Sequence, residues 1–121
     1  MKYLLVTSFM LFAPAAAHAA TCSASDFSIE DFKAGAVGSG SGIHLILKGK
    51  LVNHCATAAA AQIRVDAKDG DGNVLSSKQG WPGGTTNISP GQAVDFDLGR
   101  LVHYQPDMQT YSASIVDVRT W

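Results

Sequence analysis

Charge is scarce in this 121-residue chain. Only 16% of its residues are Asp, Glu, Lys or Arg, Glu30 is the sole glutamate, and the formal net charge is −1. No basic run occurs, and no interleaving of aromatics with arginine. A nucleic acid or an anionic membrane surface needs concentrated positive charge, so neither is expected as a partner. The catalytic signatures are missing too. Two cysteines, Cys22 and Cys55, stand alone without Cys-x-x-Cys spacing, which leaves thiol redox chemistry and a cysteine-based zinc site without their usual frame. His44, His54 and His103 fall on separate segments with no His-x-x-x-His, and no Gly-x-Ser-x-Gly elbow is present. Asp95 and Asp97 lie two apart, on the solvent side of an expected strand. Carboxylates there solubilise an edge rather than flank a scissile bond. The expectation is a protein that is not an enzyme and that uses no cofactor.

Long apolar runs are also lacking. The longest, Leu4 to Phe12, is too short to span a bilayer. Lys2 precedes it, and Ala17-His18-Ala19 supplies a small-residue cleavage site, which is the pattern of a signal peptide over residues 1–19. Ala19-Ala20-Thr21 before Cys22 fits a lipoprotein acylation site badly, because Thr21 stands where a small residue belongs. Residues 20–121 are then one domain, periplasmic or secreted, long enough for one core. An even cysteine count in an exported chain predicts a Cys22–Cys55 disulfide, stabilising by about 3–4 kcal/mol on the chain-entropy model.

What the sequence does have is alternation. Ile43, Leu45, Leu47 and Leu51 alternate with polar residues. So do Ala61, Ile63, Val65 and Ala67, and then Val94, Phe96 and Leu98. Period two puts one side of each strand on a core and the other in water. Strands are expected at Ser25–Asp31, Gly42–Asn53, Ala60–Lys68, Asn73–Lys78, Gln92–Leu101 and Thr110–Arg119. In the last, the apolar set switches from Tyr111, Ala113 and Ile115 to Val116 and Val118, which predicts a bulge. Gly35 to Gly42 reads as a flexible loop, and Ala56 to Ala61 is too short for an isolated helix. Six or seven short strands without helices indicate an all-β fold, a single immunoglobulin-like antiparallel sandwich.

Gly49-Lys50-Leu51-Val52-Asn53, Val65-Asp66-Ala67-Lys68-Asp69-Gly70-Asp71-Gly72-Asn73-Val74 and Ser89-Pro90-Gly91-Gln92 leading to Phe96 carry a resemblance. Over Lys48 to Leu98 the chain resembles the FxLYD-type domains of exported bacterial proteins, with Ala67-Lys68-Asp69 where that family tends to have Leu-Tyr-Asp. The resemblance implies an immunoglobulin or fibronectin type III-like sandwich and an extracytoplasmic interaction module, and it brings no catalytic residues. The same residues have local reasons to be there. Asp71-Gly72 or Gly72-Asn73 suits a tight hairpin turn, Pro90-Gly91 suits another, and Asn53 can bond its own backbone at a strand end.

Two site readings remain. Asp69, Asp71 and Asn73 alternate as the first ligands of an EF-hand do, but Val74 takes the glycine position and Gly80 the glutamate position. That leaves Asp66, Asp69 and Asp71 as weak candidates for a different calcium site. The other is the loop Gly80-Trp81-Pro82-Gly83-Gly84-Thr85-Thr86, with Trp81, Pro82, Thr85 and Thr86 as candidate partner-contacting residues. A loop tryptophan either anchors an interface or folds back to cap the sandwich; Trp121 and Tyr104 pose the same choice. Asn87-Ile88-Ser89 matches a glycosylation acceptor but is followed by Pro90, and the leader is of bacterial type. The function expected is a binding or accessory module of the bacterial envelope whose partner is another envelope or secreted protein. The alternatives are an inhibitor or immunity-type protein of an envelope hydrolase, and a calcium- or carbohydrate-binding module.

Overall fold

Leu45, Leu47 and Leu51 share one buried cluster with Ile63, Val65 and Ala67, each no more than 3% exposed. That cluster is the alternation of two central strands turned inward, and each of its Leu, Ile and Val side chains stabilises by about 1.5–3 kcal/mol on leaving water. The computed structural model describes residues 21–121, so the signal peptide expected at 1–19 lies outside the described residues. Six strands succeed one another in chain order: β1 Phe27–Val37, β2 His44–Asn53, β3 Ala60–Lys68, β4 Val74–Gly80, β5 Ala93–Asp97 and β6 Thr110–Arg119. They form two three-stranded sheets, β1-β2-β5 and β4-β3-β6, with every neighbouring pair antiparallel. The chain changes sheet between β2 and β3, between β4 and β5, and between β5 and β6. First, second and fifth strands on one sheet and third and sixth on the other make an immunoglobulin-like sandwich.

Cys22 and Cys55 are bonded, with Cα atoms 5.8 Å apart and 33 positions apart in sequence. The bond ties the segment before β1 to the turn after β2. Beside it, Asn53 is 0% exposed and fully engaged. Its Oδ1 accepts the Cys55 N–H at 2.7 Å, and its Nδ2 donates to the carbonyls of Thr57 at 3.0 Å and Ile88 at 2.7 Å. Its own backbone bonds Gln92 and Gly91. One side chain thus joins the end of β2, the disulfide turn and the segment entering β5.

Two strand ends differ most from expectation, each for a physical reason. Gly35 to Val37 continue β1, paired with Ile46, Leu45 and His44. Cross-strand pairing recruits residues whose intrinsic preference is weak. The turn is confined to residues 38–43. There Gly38 has φ +98, and a Cβ on it would sit 2.5 Å from the Gly42 carbonyl oxygen. Within β1, Asp31 and Phe32 together oppose Gly49, a bulge with Asp31 at φ 54. The bulge lets Phe32 pack on the core while Asp31 stays exposed. β5 stops at Asp97 instead of Leu101, because the Asp97 carboxylate accepts the N–H groups of Leu47 at 3.2 Å and Gly99 at 2.9 Å. Gly99 then turns against the Leu45 carbonyl, where a Cβ would overlap the oxygen. The bulge expected in β6 is present: Gln62 pairs with Asp117 and Ile63 with Ile115, leaving Val116 over.

Candidate functional site

β4 ends at Gly80, and the loop beyond it is wound tightly. The Gly84 N–H donates to the Trp81 carbonyl at 2.9 Å and the Thr86 N–H to that of Gly83 at 3.1 Å, with Gly84 at φ 59 supplying the reversal. Ile88 closes the loop, buried and paired with Ala59 through both backbone hydrogen bonds. Pro82 is half-buried, whereas Thr85 and Thr86 are exposed.

Trp81 is half-buried, and its aromatic and cationic neighbours come from the far end of the chain. Its ring meets that of Trp121 edge-on, centroids 5.8 Å apart at 72°. The Arg119 guanidinium lies over both rings, 5.6 Å from the Trp81 centroid and 5.0 Å from that of Trp121. An indole presents a negative face to a cation and a positive edge to another ring, so the three groups attract one another pairwise. Asn87 fixes the corner: its Oδ1 accepts the Trp121 N–H at 3.0 Å and its Nδ2 donates to the Trp121 carbonyl at 3.2 Å. Trp121 nevertheless stays 48% exposed. The loop tryptophan therefore packs on a second surface aromatic and leaves the corner open to solvent.

Sequence reasoning named Trp81, Pro82, Thr85 and Thr86 but missed Arg119 and Asn87. A signal existed for the first. Arg119 and Trp121 are two apart at the end of a strand, which puts both side chains on one side of an extended chain.

The acidic candidates separate. Asp69 serves its own hairpin, accepting the N–H groups of Asp71 and Asn73 at 2.9 Å each and the Asn73 side-chain amide at 3.3 Å. The backbone N–H of Asn73, above all, lowers its carboxyl below the ordinary value. A carboxylate facing N–H donors is arranged for those donors rather than for a cation. Asp66 pairs with Arg64 at 3.5 Å on β3, and Asp71 is exposed. Among the described residues no three of His, Cys, Asp and Glu come together to hold a metal ion.

Two further groupings were not anticipated. Ser28 Oγ and His54 Nε2 are 2.8 Å apart across the paired ends of β1 and β2, open to solvent. The nearby Asp26 carboxylate, which would have to orient the imidazole, instead accepts the Ser23 N–H at 2.8 Å. On the outer side of β1-β2-β5, a shallow depression is lined by Lys33, Lys48, Lys50, Asp31 and Asp95 beside Gly49 and Phe96. Both charge signs occur there, with Lys50 opposite Asp95 and Lys33 opposite Lys48.

The fold and the Trp81–Arg119–Trp121 corner define an all-β, disulfide-bonded domain, and among its described residues no helix is long and apolar enough to cross a membrane. No protein-family model matches the chain, and neither does any curated protein or solved structure.

Proposed function

We propose that this protein is an exported, non-enzymatic binding module of the bacterial envelope, periplasmic or secreted, which contacts another envelope or secreted protein through Trp81, Arg119 and Trp121. The observation that carries the reading is the corner itself: two tryptophans and an arginine held at the surface by a backbone clamp from Asn87. Tryptophan and arginine contribute most per residue at protein interfaces, and a preset arrangement lowers the cost of ordering them on binding. The disulfide supports an oxidising compartment. The FxLYD resemblance over Lys48 to Leu98 supports the same class. Inhibition of an envelope hydrolase is a narrower form of this function, in which the Gly80–Thr86 loop would enter the target's cleft.

The test is a cross-linking pull-down from native envelope, comparing wild type with Trp81→Ala. The expected result is a partner captured by wild type and lost on substitution. Wild type that captures nothing overturns the proposal.

A further inference from the structure

We infer that Arg119 is an anion receptor, and that the partner segment docking on the Trp81–Trp121 corner is an acidic peptide presenting a carboxylate to it. This rests on the binding-module reading and adds the chemistry of what is bound. The guanidinium is fixed by two indoles, yet among the described residues it has neither a carboxylate within ion-pair distance nor a hydrogen-bond acceptor. The one ion pair there is Arg64–Asp66. The carboxylate next along β6, Asp117, instead accepts the Val118 N–H at 2.9 Å. A guanidinium laid against ring faces has lost water on that side and has lost rotamer freedom, while its fork of N–H donors is exposed to solvent and open to an incoming acceptor. A planar carboxylate fits such a fork with two parallel hydrogen bonds.

The ring geometry selects peptide over sugar. A pyranose chain needs open aromatic faces on which successive rings can lie flat. Here the rings stand at 72° and the guanidinium lies over one face of each. The approach is therefore to the cation, with the exposed part of Trp121 as the flanking contact.

Both tryptophans of the chain stand in this corner, so tryptophan fluorescence of the intact domain, excited where tyrosine does not absorb, reads this site alone. The probe is a blocked peptide of alternating glycine and glutamate, with its glutamine counterpart and an oligosaccharide of uronic acids run in parallel. The inference expects a saturable change with the glutamate peptide, none with the glutamine peptide, and weakening with added salt. Arg119→Gln should raise the apparent Kd about tenfold or more, and Arg119→Lys less, because charge is kept while the fork is lost. Thermal melts confirm that both variants fold.

Equal saturation by the glutamine peptide, or no change with Arg119→Gln, overturns the carboxylate inference. Saturation by the uronate chain at lower concentration overturns the peptide assignment. Silence with every probe also overturns the inference, and the Trp81-dependent pull-down then decides separately whether the binding-module reading stands.

Discussion

Asn87 holds the backbone of Trp121 as a neighbouring strand would, accepting its N–H at 3.0 Å and donating to its carbonyl at 3.2 Å. The two residues are 34 positions apart. A side-chain amide therefore takes the place of a ladder at the end of β6, and through it the loop after β4 is joined to the ring beside Arg119. Asn87→Ala removes both bonds at an exposed site, where each contributes about 0.5–1.5 kcal/mol at most. The expected outcome is a small loss of stability with a large change in tryptophan emission and anisotropy, because Trp121 is released while the core is untouched. Unchanged emission would mean that ring packing alone positions Trp121.

Asn53 is the opposite case, a buried amide with no slack. Asn53→Ala removes the acceptor of the buried Cys55 N–H and one donor each from the Thr57 and Ile88 carbonyls, the latter keeping the Ala59 N–H, at a cost of about 2–4 kcal/mol. Asn53→Asp keeps the acceptor for Cys55 but puts an oxygen against two carbonyls. It should be at least as damaging at neutral pH and partly relieved in acid, where the carboxyl can donate to one of them. Urea unfolding at two pH values measures both. A loss below about 1 kcal/mol for either variant would remove Asn53 as the link between β2 and the segment entering β5.

The disulfide closes a 33-position loop. Its reduction, or the double replacement Cys22→Ser and Cys55→Ser, should lower unfolding free energy by about 3–4 kcal/mol through the entropy regained by the unfolded chain. Denaturant melts with and without reductant test this. Because the constraint acts on the unfolded state, the replaced domain should keep its β-sheet circular dichroism under native conditions.

Much of this architecture comes from local pattern. Leu45 to Leu51 and Ala61 to Ala67 announce two strands by alternation alone, and the switch from Ile115 to Val116 announces the bulge. The features that escaped depend on partners distant in sequence. Gly35 to Val37 are strand only because β2 lies beside them, and Asp97 ends β5 only because Leu47 offers an N–H. Trp81 was legible as a surface residue of interest. Its neighbours were not, since no short-range rule links a loop at 81 with Asn87's hold on Trp121. Of the aspartates named as calcium candidates, Asp69 carries the chemistry of a turn, while Asp66 pairs with Arg64 on β3.

Asp31 stands in the left-handed region at φ 54 within the β1 bulge, where side chains cost about 1–2 kcal/mol and aspartate is among the better tolerated. Asp31→Gly should hold or raise stability by up to about 1 kcal/mol. Asp31→Val should lower it by about 1–2 kcal/mol, since a β-branched residue disfavours this conformation. Thermal melts of the pair decide the matter: equal midpoints for glycine and valine would show that the bulge is not held at positive φ in solution.

The hairpin between β3 and β4 makes the acid limb of stability partly a property of Asp69. Its carboxyl is lowered from 3.8, first by the backbone N–H of Asn73, an effect that desolvation opposes in part, and then by the Asn73 amide and the N–H groups of Asp71 and Gly72. A carboxyl lowered in the folded state binds protons more readily when unfolded. Its contribution is therefore complete above the ordinary value of 3.8 and disappears as pH falls through the lower folded value. Asp69→Asn keeps one acceptor and loses the charge, so the variant should be less stable than wild type at neutral pH. The gap should close as the pH is taken down past 3.8. Melting both proteins from about pH 7 to about pH 2 checks the sign. A gap constant across that range would assign the effect to turn geometry rather than to the charge on Asp69.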